Sequence, residues 1–258
     1  MSQLYFQCAA RSAVGLVRNG NEDSALVGSQ LIAVADGMGG HAGGEIASSV
    51  AINTLSEIAP TFTNKDVDSE SASDLFLNSL HTIDGQIHAV TKDEPQLAGM
   101  GTTLTALFIK TTEISLLHVG DSRAYRLRGN ELVQLSADHT VLQELLNKGI
   151  ISEADAQVHP QRSMLTQALM GEGTLEPSLH VFEGKIKDRY LLCSDGLTGV
   201  LSDKEIKSLI KGKDAVAAVD ALIDATYING APDNVTVILA DLVDSSDTDV
   251  EKLGAAKA

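Results

Sequence analysis

The chain has 258 residues, 43% of them hydrophobic but only 3% aromatic, so a sizeable core of Leu, Ile, Val and Ala is expected. A formal net charge of −16 argues against a nucleic-acid groove, which needs clustered Lys and Arg. The two cysteines, Cys8 and Cys193, lie too far apart in sequence for a metal or redox motif and read as reduced thiols.

No apolar run is long enough to span a bilayer, and the N-terminus lacks the basic start of a signal peptide. A cytoplasmic location is expected, with a membrane anchor beyond residue 258 left open.

Residues 3–17 alternate loosely and predict an opening strand. Arg18-Asn19-Gly20-Asn21-Glu22-Asp23 is a polar turn, and residues 24–36 predict a strand pair or one bent strand. This segment ends in the run Leu31-Ile32-Ala33-Val34-Ala35-Asp36, followed by Gly37-Met38-Gly39-Gly40-His41. Asp36 stands at the mouth of a buried strand, and the glycines let backbone approach whatever it holds.

Residues 43–59 predict a helix with Ala47, Ala51, Leu55 and Ile58 on one face, ended by Pro60. A polar loop over 61–71 leads to a second helix from about Ser73, with Phe76, Leu80, Ile83, Ile87 and Val90 as its apolar stripe. From Gly101 the pattern becomes a meander: Thr102–Lys110, Glu113–Gly120, Arg123–Leu127 and Glu131–Leu135, with Arg128-Gly129-Asn130 as a hairpin turn.

Asp138-His139-Thr140 opens a helix through Lys148, and Ser152 caps a short helix over Glu153–Gln157, so residues 139–162 form a helical flap. Strands at 178–186 and 189–195 follow. Next come helices at 203–211, capped by Ser202, and 214–228, with Val216, Val219, Leu222 and Ile223 inward. A closing strand spans 234–242. Strands come in runs and helices in pairs, which predicts an α+β fold with helices outside antiparallel sheets. The domain is expected to occupy residues 1–242, and 243–258, with Asp244-Ser245-Ser246-Asp247-Thr248-Asp249, to be a disordered polar tail.

Asp121, Asp195 and Asp233 repeat the Asp36 design, each at the edge of an apolar strand. Gathered together, four carboxylates would repel by several kcal/mol without a cation. With no Cys or His at zinc spacing, all-oxygen ligation points to Mg²⁺ or Mn²⁺. Two such ions ~3.5–4 Å apart can activate one water and clamp a phosphoryl oxygen, and Arg18 would supply bidentate contact to the same group. Other phosphate chemistries fit worse: Gly212-Lys213-Asp214 is no Walker loop, and neither cysteine has an Arg six positions on.

The chain resembles the bacterial type 2C, metal-dependent protein Ser/Thr phosphatases, of the kind that oppose bacterial Ser/Thr kinases. The resemblance runs from about residue 8 to 242. It is carried by Arg18 with Asn21-Glu22-Asp23, by Asp36-Gly37-Met38-Gly39-Gly40-His41, and by Gly101-Thr102-Thr103. Gly120-Asp121-Ser122-Arg123, Asp138-His139, Ser194-Asp195-Gly196 and Asp233-Asn234-Val235-Thr236 complete it.

It implies a four-layer α-β-β-α sandwich, two antiparallel sheets flanked by helix pairs. It also implies two core metals: Asp36 bridges both, the Gly37 carbonyl joins one, and Asp195 and Asp233 complete the second. A third ion would take Asp121, Asp195 and the Ser163 carbonyl. Glu22, acting through water, Asp23 and Asn234 would support the ligands. Many eukaryotic members carry His directly after the Asp-Gly pair; Met38 stands there in this chain. For the general acid, His41 and a metal-bound water both remain candidates.

The implied activity is hydrolysis of phosphoserine and phosphothreonine in phosphoproteins, Ser/Thr kinases among them, by a monomer. Two alternatives stand beside it: a catalytically weak module that senses metal or phosphate, and a phosphohydrolase of small molecules.

Overall fold

The computed structural model describes residues 3–40, 42–152, 164–175 and 178–257. At its centre β3 (Leu31–Met38) runs between β2 (Asp23–Val27) and β5 (Leu104–Lys110), with every side chain from Leu31 to Ala35 buried. The two-residue period of a strand divides these side chains between two cores. Leu31, Ala33 and Ala35 pack under the helices α1 (Gly43–Thr63) and α2 (Ser69–Asp93), whereas Ile32 and Val34 meet a second sheet.

The first sheet has the order β12-β2-β3-β5-β6-β9, where β6 is Glu113–Val119, β9 Leu179–Glu183 and β12 Glu251–Gly254; β4 (Gly101–Thr102) also pairs with β3. The second has the order β1-β11-β10-β7-β8: Tyr5–Ala13, Val235–Val243, Arg189–Cys193, Arg123–Arg128 and Glu131–Gln134. Every pairing is antiparallel. On the outer face of the second sheet, Leu191, Cys193, Val235 and Val237 pack against α4 (Asp203–Ile210) and α5 (Ala215–Ile228) through Ile206, Ile210, Val219 and Leu222. The layers therefore run α-β-β-α, as expected.

Several expectations need correction. Pro60 does not end α1; the helix continues to Thr63. Its last turn is held by Phe62, which packs 5.4 Å from the ring of Phe76 and 5.1 Å from that of Phe108. Burying an aromatic side chain outweighs the one helical hydrogen bond that proline removes. α2 begins at Ser69, capped by Asp68, so most of the polar loop expected over 61–71 is helical.

In α5, Val216 is exposed, and Ala218 and Thr226 join Val219 and Leu222 on the buried side. The helix expected from Asp138 starts at Val141 as α3 (Val141–Asn147), because Thr140 takes the cap position and accepts from the Gln143 amide. The remainder of the flap, 153–162, lies outside the described residues.

The largest difference is at the C-terminus. The segment expected to be a free tail is not one through residue 257: β12 pairs antiparallel with β2, and Ala255 and Ala256 are buried. The Ser/Thr/Asp run that suggested disorder instead serves the edge of β1. Thr248 Oγ1 accepts from the Cys8 amide (3.3 Å) and Ser246 Oγ donates to the Phe6 carbonyl (2.8 Å). Gly254, at φ +67°, lies so close to the Asp23 carbonyl that a Cβ would sit 2.0 Å from that oxygen.

Candidate metal centre

The period that builds the core also delivers the acids. Asp36 shares the face of Ile32 and Val34, and Asp23 shares that of Ala25 and Val27, so both point between the sheets. They are register partners on neighbouring strands. Asp195 opens a single helical turn (Asp195–Thr198) beyond the end of β10, and Asp233 precedes β11, which pairs with β10 at that end. Asp36, Asp195 and Asp233 meet Asp121, just after β6, in a cleft of about 600 Å³.

Hydrogen bonds fix the floor of this cleft. The Asp36 amide donates to Thr103 Oγ1 (2.9 Å), the Thr103 amide donates to the Asp36 carbonyl (2.9 Å), and Thr103 Oγ1 also bonds Ser122 Oγ (2.8 Å). Ser194 Oγ donates to the buried Asp23 carboxyl (2.7 Å). Glu22 is held from both sheets: its amide donates to Asn234 Oδ1 (2.8 Å), and its carbonyl accepts from the Gly37 amide (3.1 Å). Asn234 Nδ2 donates to the Val14 and Gly20 carbonyls. The Asp121 turn is locked by His139, whose Nδ1 accepts from the Gly120 amide, and Arg123 holds Asp138 bidentately beside it.

The charges are unbalanced. Five carboxylates line the cleft (Glu22, Asp36, Asp121, Asp195 and Asp233), and Arg18 is the one Lys or Arg among its described lining residues. Burial, then the neighbouring Asp23, Asp195, Asp121 and Asp233, hold the Asp36 carboxyl well above the usual carboxylate range. Burial and Asp195 push Asp121 up to about 7. Asp23 also rises to about 7, chiefly through burial, against the hydroxyls of Thr236 and Ser194. Burial and then Asp233 raise Asp195. Arg18 Nη2 donates to Asp233 Oδ2 at 2.7 Å, the one ion pair the cleft makes among the described residues.

This donor set fits hard divalent ions. It is all oxygen, and its excess of negative charge matches two of them. No three acid, imidazole or thiolate groups among the described residues close into a complete shell. Water would complete the coordination of Mg²⁺ or Mn²⁺ there, ions that keep several waters.

Comparison with known proteins gives the lineage. Residues 20–236 match the family model described as protein phosphatase 2C. The chain belongs to the protein phosphatase 2C family. It is similar to the serine/threonine protein phosphatase PstP of Mycobacterium tuberculosis, with 43% identity over 93% of this chain and 46% of that protein, so it spans about half the length of that relative. Its identity to the serine/threonine phosphatase stp of Listeria welshimeri is 36%, over 90% of this chain and 94% of that one. A crystal structure of the PstP catalytic domain in complex with 2 manganese ions has a TM-score of 0.85 and 39% identity, covering 93% of this chain and 100% of that one.

Within this phosphatase 2C chain the cleft unites Arg18, Glu22, Asp36, Gly37, Asp121, Asp195 and Asp233. Asp23 and Asn234 lie directly behind them. His41 and Ser163 lie outside the described residues. Sequence reasoning placed Thr103, Ser122 and Ser194 in the motifs but gave their hydroxyls no role, and it missed Asp84. This buried acid on α2 accepts from the amides of Gly171 (2.7 Å) and Gly173 (2.8 Å), holding the loop that brings Met170 to the cleft. An acid inside the apolar stripe Leu80-Ile83-Ile87 was the available signal. Cys8 and Cys193 are free thiols, each pushed up to about 12, chiefly by burial, which suits inert side chains.

The raised carboxyls dictate how stability varies with pH. Unfolded, each would titrate near 3.9. Between about pH 4 and 7 the chelated folded protein binds more protons than the unfolded chain, so its stability falls as pH rises through that window. Divalent ions displace those protons, so the rise in Tm on adding manganese is expected to grow from pH 5.5 to pH 8. Thermal scans in chelator and in manganese at both pH values test this; an equal rise at both would contradict it.

Proposed function

We propose that this chain is a metal-dependent protein phosphatase that hydrolyses phosphoserine and phosphothreonine in phosphoproteins, with Ser/Thr kinases among its substrates. The observation that carries the reading is the cleft itself: among the described residues, five carboxylates and one guanidinium around room for a phosphoryl group. When bound, a pair of Mn²⁺ or Mg²⁺ ions supplies Lewis-acid charge at the phosphoryl oxygens and lowers the pKa of attacking water. Asp36 is assigned as the ligand shared by both core ions, with the Gly37 carbonyl on one and Asp195 and Asp233 on the other. Asp121 and Asp195 are assigned to a third ion, together with the Ser163 carbonyl. His41 is retained as a candidate proton donor to the leaving group. A monomer acting in the cytoplasm is part of this proposal. No helix among the described residues is long and apolar enough to cross a membrane.

Arg18 is assigned to the phosphoryl oxygens. Among the described residues only its Nη2 is engaged, by Asp233, and half of the side chain is exposed, which favours contact of its other donors with a ligand. Because it binds phosphate in ground and transition states alike, Arg18→Ala should raise KM by roughly tenfold or more and change kcat much less. Steady-state kinetics on a phosphopeptide at saturating manganese test this, and a loss confined to kcat would refute the assignment. Asp121→Ala should release one ion and leave the core pair, read as a fall of one in manganese stoichiometry by calorimetry.

The activity itself is tested with a chromogenic aryl phosphate and phosphopeptides, each with manganese and with chelator. Turnover only with the metal, and faster on phosphopeptides than on nucleotides or sugar phosphates, is expected. Folded protein with no turnover would leave a regulatory module in place of an enzyme.

A further inference from the structure

The segment between β1 and Arg18, Val14-Gly15-Leu16-Val17, combines a pinned backbone with exposed apolar side chains. Gly15 adopts φ +81°, and a Cβ there would lie 2.2 Å from the Asp233 carbonyl oxygen and 2.8 Å from that of Ala231. Its amide donates to Tyr227 Oη (3.2 Å), the Leu16 amide donates to the Ala231 carbonyl (2.9 Å), and the Val14 carbonyl accepts from Asn234 (2.8 Å). The loop is thus bound to the turn that carries Asp233. Yet Leu16 is 62% exposed and Val17 68%, immediately before Arg18 of the cleft. The backbone bonds of Val14, Gly15 and Leu16 fix the loop, while the Leu16 and Val17 side chains face solvent beside Arg18. Met38, Met164 and Met170 add apolar surface to the lining of the cleft itself.

We propose that Leu16 and Val17 form a docking surface for an apolar side chain close to the phosphorylated residue of a peptide substrate. This rests on the phosphatase reading and adds a substrate class to it. An extended peptide advances about 3.3 Å per residue. With its phosphoryl group at Arg18, a neighbour one or two positions away therefore reaches the adjoining loop. The patch is too small to seat a second copy of the chain, which would engage about 20–30 residues a side. Its continuity with Arg18 makes the substrate its occupant.

The test uses paired phosphothreonine peptides, identical except for Leu or Gly at both neighbouring positions. The unmodified protein is expected to favour the Leu peptide by roughly 5- to 10-fold in kcat/KM, mainly through KM, the scale of discrimination by small apolar contacts. In the double variant L16S/V17S that ratio should fall to near one. A ratio near one in the unmodified protein, or an unchanged ratio in the variant, would overturn the proposal. A variant that is merely poorly folded loses both rates together, keeps the ratio, and so counts against it. Hydrolysis of aryl phosphate with no turnover of either peptide would instead sink the phosphoprotein reading, and this proposal with it.

Discussion

Asp36→Asn is expected to lower kcat/KM by about a thousandfold or more, the loss that follows when several kcal/mol of transition-state charge stabilisation disappears. The exchange keeps side-chain size, and the backbone bonds of Asp36 to Thr102 and Thr103 need no carboxylate, so the floor of the cleft should survive. What is lost is the charge at the point where the other acids converge. Removing it also relieves repulsion with Asp23, Asp195, Asp121 and Asp233, so the metal-free variant should be at least as stable as its parent. Loss of activity and of manganese affinity with Tm kept or raised is therefore the signature. Near-normal rates would refute the ligand role, and a large fall in Tm would mean that Asp36 serves the fold.

Gly196→Ala should damage the site through its scaffold. A Cβ at Gly196 would lie 1.8 Å from the Asn234 carbonyl oxygen, and this obstacle is backbone that cannot swing aside. Either the turn that carries Asp195 or the start of β11 must move, separating Asp195 from Asp233. Overpacking of this kind costs about 1–3 kcal/mol or more, several degrees in Tm for a chain of this size. A displacement of ~1 Å at a catalytic group is worth about a hundredfold in rate. Gly85→Ala is the control: nothing lies within 4 Å of its Cβ, and it sits inside α2, so it should stabilise slightly. Gly196→Ala with parental Tm and activity would show that the two turns are not in rigid contact.

Much of this was legible because strands obey a two-residue period. Once Ile32 and Val34 are core, Asp36 must point between the sheets, and a chain with few aromatics leaves Leu, Ile and Val to mark each strand. What was not legible depended on partners remote in sequence. Pro60 reads as a stop until Phe62 finds Phe76 and Phe108. The 244–249 run reads as solvent until its hydroxyls meet the edge of β1, some 240 residues away. Asp23 reads as part of a polar turn, yet it is 1% exposed and bonded to Ser194, a contact that only the packing of the two sheets creates. Thr103 and Ser122 are ordinary small polar residues in sequence; their proximity under Asp36 requires the fold.

The most direct test of the metal-centre reading is an anomalous-scattering map from crystals grown with manganese. Two strong peaks about 3.5–4 Å apart, both within bonding reach of the Asp36 carboxylate, are expected, with a third beside Asp121 and Asp195. A map with no peak at Asp36, or with ions only on the outer surface, would contradict it.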